Sequence, residues 1–152
     1  MRRNSPNCIE KNIQKYEIKS SYDNNLAQLL CVLNGGLLVQ DVNNHALWGT
    51  HKITNGVNTY NITSTHHQMQ YPYNLDENDY DVLYWANNLS KNYYCGEKIN
   101  SELIIHKGEP EIVIYHKKGL PKCLAIQGHP EMMTRSNLHG MLNELIKRYG
   151  NL

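Results

Sequence analysis

The stretch Cys123-Leu124-Ala125-Ile126-Gln127-Gly128-His129-Pro130-Glu131 decides how this chain is read. Its first four residues have the length and composition of a buried strand. Pro130 lacks an N–H and has a fixed φ, so it ends ladder pairing. It also drives His129 into an extended conformation. His129 thus stands at a strand exit with a carboxylate two residues on. Glu131 is close enough to turn back to an imidazole N–H. A carboxylate there fixes the tautomer and stabilises the imidazolium, as a general base beside a nucleophile requires.

Working outward, the chain alternates between helical and extended patterns. Residues Ile9 to Lys19 suggest a short polar helix. Leu26 to Leu33 reads as a second helix, mostly apolar and so expected to be buried, ended by Asn34-Gly35-Gly36, where Gly supplies a left-handed cap. Leu37 to Val42 is a short strand. Gly49 to Asn61 alternates and is broken by Asn55-Gly56, a hairpin signal; Asn61 to Ser64 closes a strand before His66. Tyr80 to Trp85 and Glu111 to Tyr115 are further strands. The second carries Ile112-Val113-Ile114 in a row, the pattern of a strand covered on both faces. Ser136 is expected to cap a final helix with Leu138, Met141, Leu142, Leu145, Ile146 and Tyr149 on one face, docked on a sheet. The sum is an α/β pattern with some antiparallel additions.

Composition narrows the function classes. The chain has 152 residues and a net charge of +1, enough for one domain with a real core. That charge offers no electrostatic case for nucleic acid or for an anionic membrane. No apolar run approaches a membrane span, and the first residues lack the apolar core of a signal peptide. Cys8, Cys31, Cys95 and Cys123 are scattered, without a Cys-x-x-Cys pair. This fits reduced thiols in a cytoplasm and argues against a zinc site or a redox motif.

Two further constellations bear on chemistry. In Thr63-Ser64-Thr65-His66-His67-Gln68, the adjacent His suggest metal ligands, with His45, His51 or His129 as partners. Neighbouring side chains of an extended segment point in opposite directions, however, so the two do not easily share an ion. A polar platform for a small ligand beside the His-Glu pair is the favoured role. The other constellation is Ala27-Gln28-Leu29-Leu30, followed by Gly35-Gly36-Leu37-Leu38-Val39-Gln40-Asp41.

Taken with Gln127-Gly128-His129-Pro130-Glu131, these motifs resemble the class-I glutamine amidotransferase superfamily, in its gamma-glutamyl-gamma-aminobutyrate hydrolase-like branch. In that branch a Gly-x-Cys-Arg-Gly-x-Gln-Leu-Leu elbow is followed by Gly-Gly-x-Leu-x-Gln-Asp, Ser-x-His-His-Gln and Gln-x-His-Pro-Glu segments. The last three occur here in order, and the resemblance runs from about Leu26 to Glu131. It implies a flavodoxin-like three-layer α/β/α sandwich, here lacking the N-terminal strands, as a single partial domain over residues 1–152. It implies a Cys-His-Glu triad that hydrolyses glutamine or another gamma-glutamyl amide, with elbow N–H groups stabilising the oxyanion. His129 would be the base and Glu131 its orienter. Gln28, Ser64, Thr65 and His66 would hold the glutamyl moiety, and neither cofactor nor metal is implied.

The chain departs from the family at the elbow, where the nucleophile position falls on Asn24 and no apolar strand precedes it. Cys31 lies seven residues further on, about 10 Å down a helix. Three readings stay open: a domain without its nucleophile, serving in binding or scaffolding; an active hydrolase using another Cys or parts from another chain; and an α/β protein whose His side chains bind a metal. The expected partner is a small gamma-glutamyl amide rather than nucleic acid or membrane. A parallel sheet without its early strands would also expose an edge, which invites self-association or a partner chain.

Overall fold

A computed structural model describes residues 25–42, 45, 49–87, 93–95, 98–99 and 108–149. The helix expected near Ile9 to Lys19, and Asn24 with the elbow, lie outside them. The elements in order are α1 (Asn25–Leu33), β1 (Leu37–Val39), β2 (Asp41–Val42), β3 (Gly49–Thr54), β4 (Thr59–Ser64), β5 (Met69–Tyr71), β6 (Tyr80–Ala86), β7 (Tyr93–Cys95), β8 (Lys98–Ile99), β9 (Glu109–Tyr115) and β10 (Cys123–Ile126). A 3-10 turn over Pro130–Met132 and α2 (Arg135–Tyr149) follow.

The hairpin is built as its sequence demands. Gly56 takes a φ of +89°, and the Asn55 side-chain oxygen accepts the N–H groups of Val57 and Asn58. That turn pairs β3 with β4 from Gly49↔Ser64 to Thr54↔Thr59. Five strands then assemble in the order β10-β9-β6-β3-β4. The sheet curls until its two outer strands meet, where the His129 N–H donates to the Thr63 carbonyl at 2.9 Å. β1 pairs with β5, and β2, β7 and β8 form a third small sheet.

This architecture corrects the expected fold. Every strand pair among the described residues is antiparallel, and the mostly β assembly is not a flavodoxin-like sandwich. The physical reason lies in the connections. β9 and β10 are joined through residues 116–122, shorter than the dozen or more residues of a parallel crossover. The exposed parallel edge invoked for self-association falls with that correction.

The apolar run in β9 is nevertheless covered on both faces, as its sequence suggested: all seven of its residues are buried. Ile112 and Ile114 join Ile53, Ile62, Met141 and Leu145 on the side of α2. Val113 and Tyr115 join Ala27, Cys31, Val82 and Ala125 on the side of α1. A register shift in β6 between Val82 and Tyr84 lets Leu83 and Tyr84 both face the α2 side, the usual effect of a bulge.

The helices differ from expectation in detail. α1 ends as read, with Gly35 at a φ of +91°. It buries Ala27, Gln28 and Cys31 but leaves Leu26, Leu29 and Leu33 exposed, so its apolar composition does not translate into full burial. α2 starts at Arg135, which puts Ser136 inside the first turn rather than at the cap. Met141 and Leu145 are its buried residues, Leu138, Leu142 and Tyr149 pack against the core, and Ile146 is exposed. No helix among the described residues is long and apolar enough to cross a membrane.

Glu144 ties α2 to the hairpin. Its carboxylate accepts hydrogen bonds from Asn55, Asn58, Tyr60 and Tyr84 and pairs with Arg148. Partial burial alone would raise its pKa, but the Tyr84, Asn58 and Tyr60 hydrogen bonds and Arg148 outweigh that and lower it. A carboxyl whose pKa is lowered on folding stabilises the fold above its unfolded pKa and loses that contribution as pH falls through the folded value. Glu144→Gln should therefore cost about 1 kcal/mol at neutral pH and show a smaller further loss on acidification than the wild type. Urea midpoints at pH 7 and pH 3 measure both effects; equal acid losses in the two proteins would show that Glu144 is not a source of acid lability.

Candidate functional site

Where β10 ends, the backbone does what Pro130 requires. His129 takes φ −104° and ψ 87°, and the chain enters the 3-10 turn with Pro130 at its start. Glu131, in the first turn, folds back so that His129 Nδ1 and Glu131 Oε1 are 2.7 Å apart. The other imidazole nitrogen, Nε2, is 2.7 Å from the Thr65 hydroxyl. The imidazole is nearly buried, its side chain 10% exposed, whereas the Glu131 carboxylate is 65% exposed. Burial acts to raise the Glu131 pKa, but a backbone hydrogen bond and His129 outweigh it and lower it. The result is a hydroxyl–imidazole–carboxylate relay, with each polar group in hydrogen-bond contact with the next.

The four residues assigned to substrate binding are brought into one region but not onto one surface. Thr65 sits on His129 Nε2. Ser64 is buried, and its hydroxyl donates to the His45 carbonyl at 2.8 Å. Gln28 is buried on α1, its amide N–H donating to the Gln68 carbonyl at 3.1 Å, while its Oε1 has no hydrogen-bond partner among the described residues. His66 is buried too, its Nδ1 2.8 Å from the same carbonyl. His66 and His67 do point apart, since the His67 side chain is 73% exposed near Asp41.

A buried cluster joins His66 to His45 and His51, which the sequence suggested as metal-ligand partners, and adds two carboxylates that the sequence reading did not include. His45, His51 and His66 surround Glu111, with Glu109 beyond His45. His45 Nε2 lies 2.9 Å from Glu109 Oε2. His45 Nδ1 lies 3.2 Å from His66 Nε2 and 3.5 Å from Glu111 Oε1. His51 Nε2 is 2.9 Å from the same Glu111 oxygen. Both carboxylates are fully buried. At Glu111, burial would raise the pKa, but the His51 hydrogen bond and the nearby His66 imidazole more than offset it, so the carboxyl is held well below the usual carboxylate range. At His45, burial disfavours the charged form, yet Glu109 and Glu111 outweigh it and raise the pKa.

A signal for these carboxylates was present in the sequence. Glu109-Pro110-Glu111 at period two puts both on one face of β9, directly ahead of Val113 and Tyr115 in the α1-side core. Acidic residues on the buried face of a strand need cationic or hydrogen-bonding partners, and the partners here are histidines. His51 comes from β3 and His45 from outside the strands, and that juxtaposition is purely tertiary.

The described thiols stand elsewhere. Cys31 is fully buried, with Sγ 3.4 Å from the Leu37 carbonyl, and burial pushes its pKa up to about 11. Cys123 opens β10, the strand whose opposite end leads to His129, and lies 3.8 Å from the Asn34 amide. No family model, curated protein or solved structure matches the chain.

Proposed function

We propose that the chain is a glutamine amidotransferase-like domain that binds a gamma-glutamyl amide beside His129 and, acting alone, does not hydrolyse it by thiol chemistry. The observation that supports this is the occupancy of the two sides of one imidazole. Glu131 takes Nδ1, as an orienting carboxylate does, and the Thr65 hydroxyl takes Nε2, the side that serves the nucleophile in such triads. A buried thiol held near pKa 11 is a poor nucleophile at neutral pH, so Cys31 does not fill the role. A reduced, cytoplasmic setting belongs to the same proposal.

The Thr65 contact favours a second reading, in which Thr65 is itself the nucleophile. His129 Nε2 would take the hydroxyl proton as Oγ1 attacks the amide carbon. It would return that proton to the leaving amine, and water would then cleave the acyl-threonine ester.

One set of measurements separates these readings. The purified chain is titrated with glutamine by NMR and assayed for ammonia release. We expect saturable shifts that disappear in His129→Ala, with no turnover. Turnover abolished by Thr65→Ala but indifferent to thiol alkylation would establish the second reading. Turnover abolished by alkylation, with a thiol-directed glutamine analogue labelling Cys8 or Cys31, would mean an active cysteine enzyme. Absence of binding by glutamine and by gamma-glutamyl anilide would overturn the proposal as a whole.

A further inference from the structure

We propose that His45 Nδ1, His66 Nε2 and Glu111 Oε1 form a binding site for one divalent transition-metal ion of the zinc type. The argument starts from where hydrogens can sit. His66 Nδ1 faces the Gln68 carbonyl at 2.8 Å; a carbonyl only accepts, so that nitrogen carries the hydrogen. His45 Nε2 faces the Glu109 carboxylate at 2.9 Å and carries its hydrogen for the same reason. In the neutral imidazoles this leaves His45 Nδ1 and His66 Nε2 as bare lone pairs, 3.2 Å apart. The Glu111 carboxylate completes the triangle at 3.5 and 3.7 Å. Three acceptors thus converge with no hydrogen between them, in a place where all three side chains are at most 1% exposed.

The size of the triangle selects the ion. Tetrahedral coordination at 2.0–2.1 Å sets neighbouring donors about 3.3–3.4 Å apart, which the three edges bracket. Octahedral magnesium at the same bond length would need edges near 3 Å, and both magnesium and calcium prefer all-oxygen donors. Two imidazoles and one carboxylate suit zinc and its neighbours. The outer contacts are those of a metal centre as well: Glu109 holds the far nitrogen of His45 and a backbone carbonyl holds that of His66, so both rings are oriented by their second hydrogen bond. Ser64 fixes the His45 backbone. Glu111 Oε2 is buried without a hydrogen-bond partner among the described residues, and bidentate coordination would satisfy it. Because His66 directly follows Thr65, an ion here would also order the segment that meets His129, although the site does not depend on the function proposed for that residue.

The competing occupant of the triangle is a proton on His45 Nδ1, which would donate to Glu111. The test distinguishes the two on the intact chain. Protein stripped with chelator is dialysed against zinc, then against metal-free buffer, and analysed for retained metal; a parallel sample receives cobalt(II). We expect one zinc per chain, and intense visible cobalt bands diagnostic of tetrahedral coordination. Both should be lost in His66→Gln and Glu111→Gln and kept in His67→Ala, whose side chain points outward. Should the buried variants fail to fold, imidazole nitrogen NMR of the wild type decides: zinc should shift His45 Nδ1 and His66 Nε2 and leave the proton-bearing nitrogens unbound. A wild-type chain that retains no zinc, shows only weak octahedral cobalt absorption, or keeps a proton on His45 Nδ1 in excess zinc would overturn the site.

Discussion

Glu111→Leu should destabilise the fold by about 3–5 kcal/mol, the cost of removing one partner from a buried charged network. The carboxylate is fully buried on β9 and lies within 3.7 Å of three imidazoles. Leucine roughly keeps the volume and so tests polarity rather than a cavity. It leaves the His51 Nε2 hydrogen without an acceptor, and it leaves the His45 and His66 nitrogens facing each other with no balancing charge. Glu111→Gln should cost less, because its amide oxygen can still accept from His51 and its amide hydrogens can donate into the gap between His45 and His66. Urea unfolding in excess chelator, which removes any contribution from a bound ion, measures both variants against the wild type. The order wild type, Gln, Leu with a total spread above 3 kcal/mol is the expected result. A leucine variant within 1 kcal/mol of wild type would mean that the histidines find other acceptors and that Glu111 does not organise them. Against a typical total stability of 5–15 kcal/mol, the expected loss would leave the leucine protein marginal.

The same residue shows where the sequence is legible and where it is not. Signals written into a few consecutive residues survive folding. Asn55-Gly56 makes its hairpin, Gly35 ends α1, and His129-Pro130-Glu131 brings carboxylate to imidazole, because each depends on φ restrictions and short-range hydrogen bonds. Ile112-Val113-Ile114 reports truthfully that β9 is covered on both faces. It cannot report by what: helices packed on a curled antiparallel sheet bury such a run as fully as crossover helices on a parallel one. The short connection through residues 116–122 held that information, and the motif resemblance outweighed it. Leu26, Leu29 and Leu33 show the complementary error, since apolar composition on α1 says nothing about which side has a neighbour. His45, His51 and Glu111 are separated by up to 66 positions in the sequence; the sheet order β9-β6-β3 brings His51 to Glu111, and His45 reaches it from outside the strands, where the Ser64 hydroxyl holds its carbonyl. The relay at His129 is half legible for the same reason: Glu131 is local, whereas Thr65 arrives because β4 and β10 meet across the curl.

That meeting point sets the second large effect. Gly128 lies between β10 and His129, and a Cβ added there would stand 2.5 Å from Cδ1 and Cγ1 of Ile62 and 2.9 Å from the Thr63 carbonyl oxygen. Ile62 is fully buried in the α2-side core, so its side chain has little room to retreat. The Thr63 oxygen is backbone and already accepts the His129 N–H. Gly128→Ala should therefore cost about 2–3 kcal/mol through overpacking, and relief must come partly from separating β4 and β10. Thr65 and His129 lie just beyond that closure, so their 2.7 Å contact should lengthen in step with the lost stability. The prediction can be split into its two parts. Ile62→Ala removes both Cδ1 and Cγ1 at a cost of about 2–5 kcal/mol, and combined with Gly128→Ala it should destabilise by less than the sum of the single changes, since each makes room for the other. If the clash with Ile62 dominates, the double variant is no less stable than Ile62→Ala alone and keeps the His129 imidazole chemical shifts of the wild type. If the Thr63 carbonyl dominates, stability recovers in part while His129 stays displaced, which would identify the β4–β10 closure itself as what positions the base. Simple additivity of the two changes, with His129 shifts unaltered in either single variant, would refute the steric account.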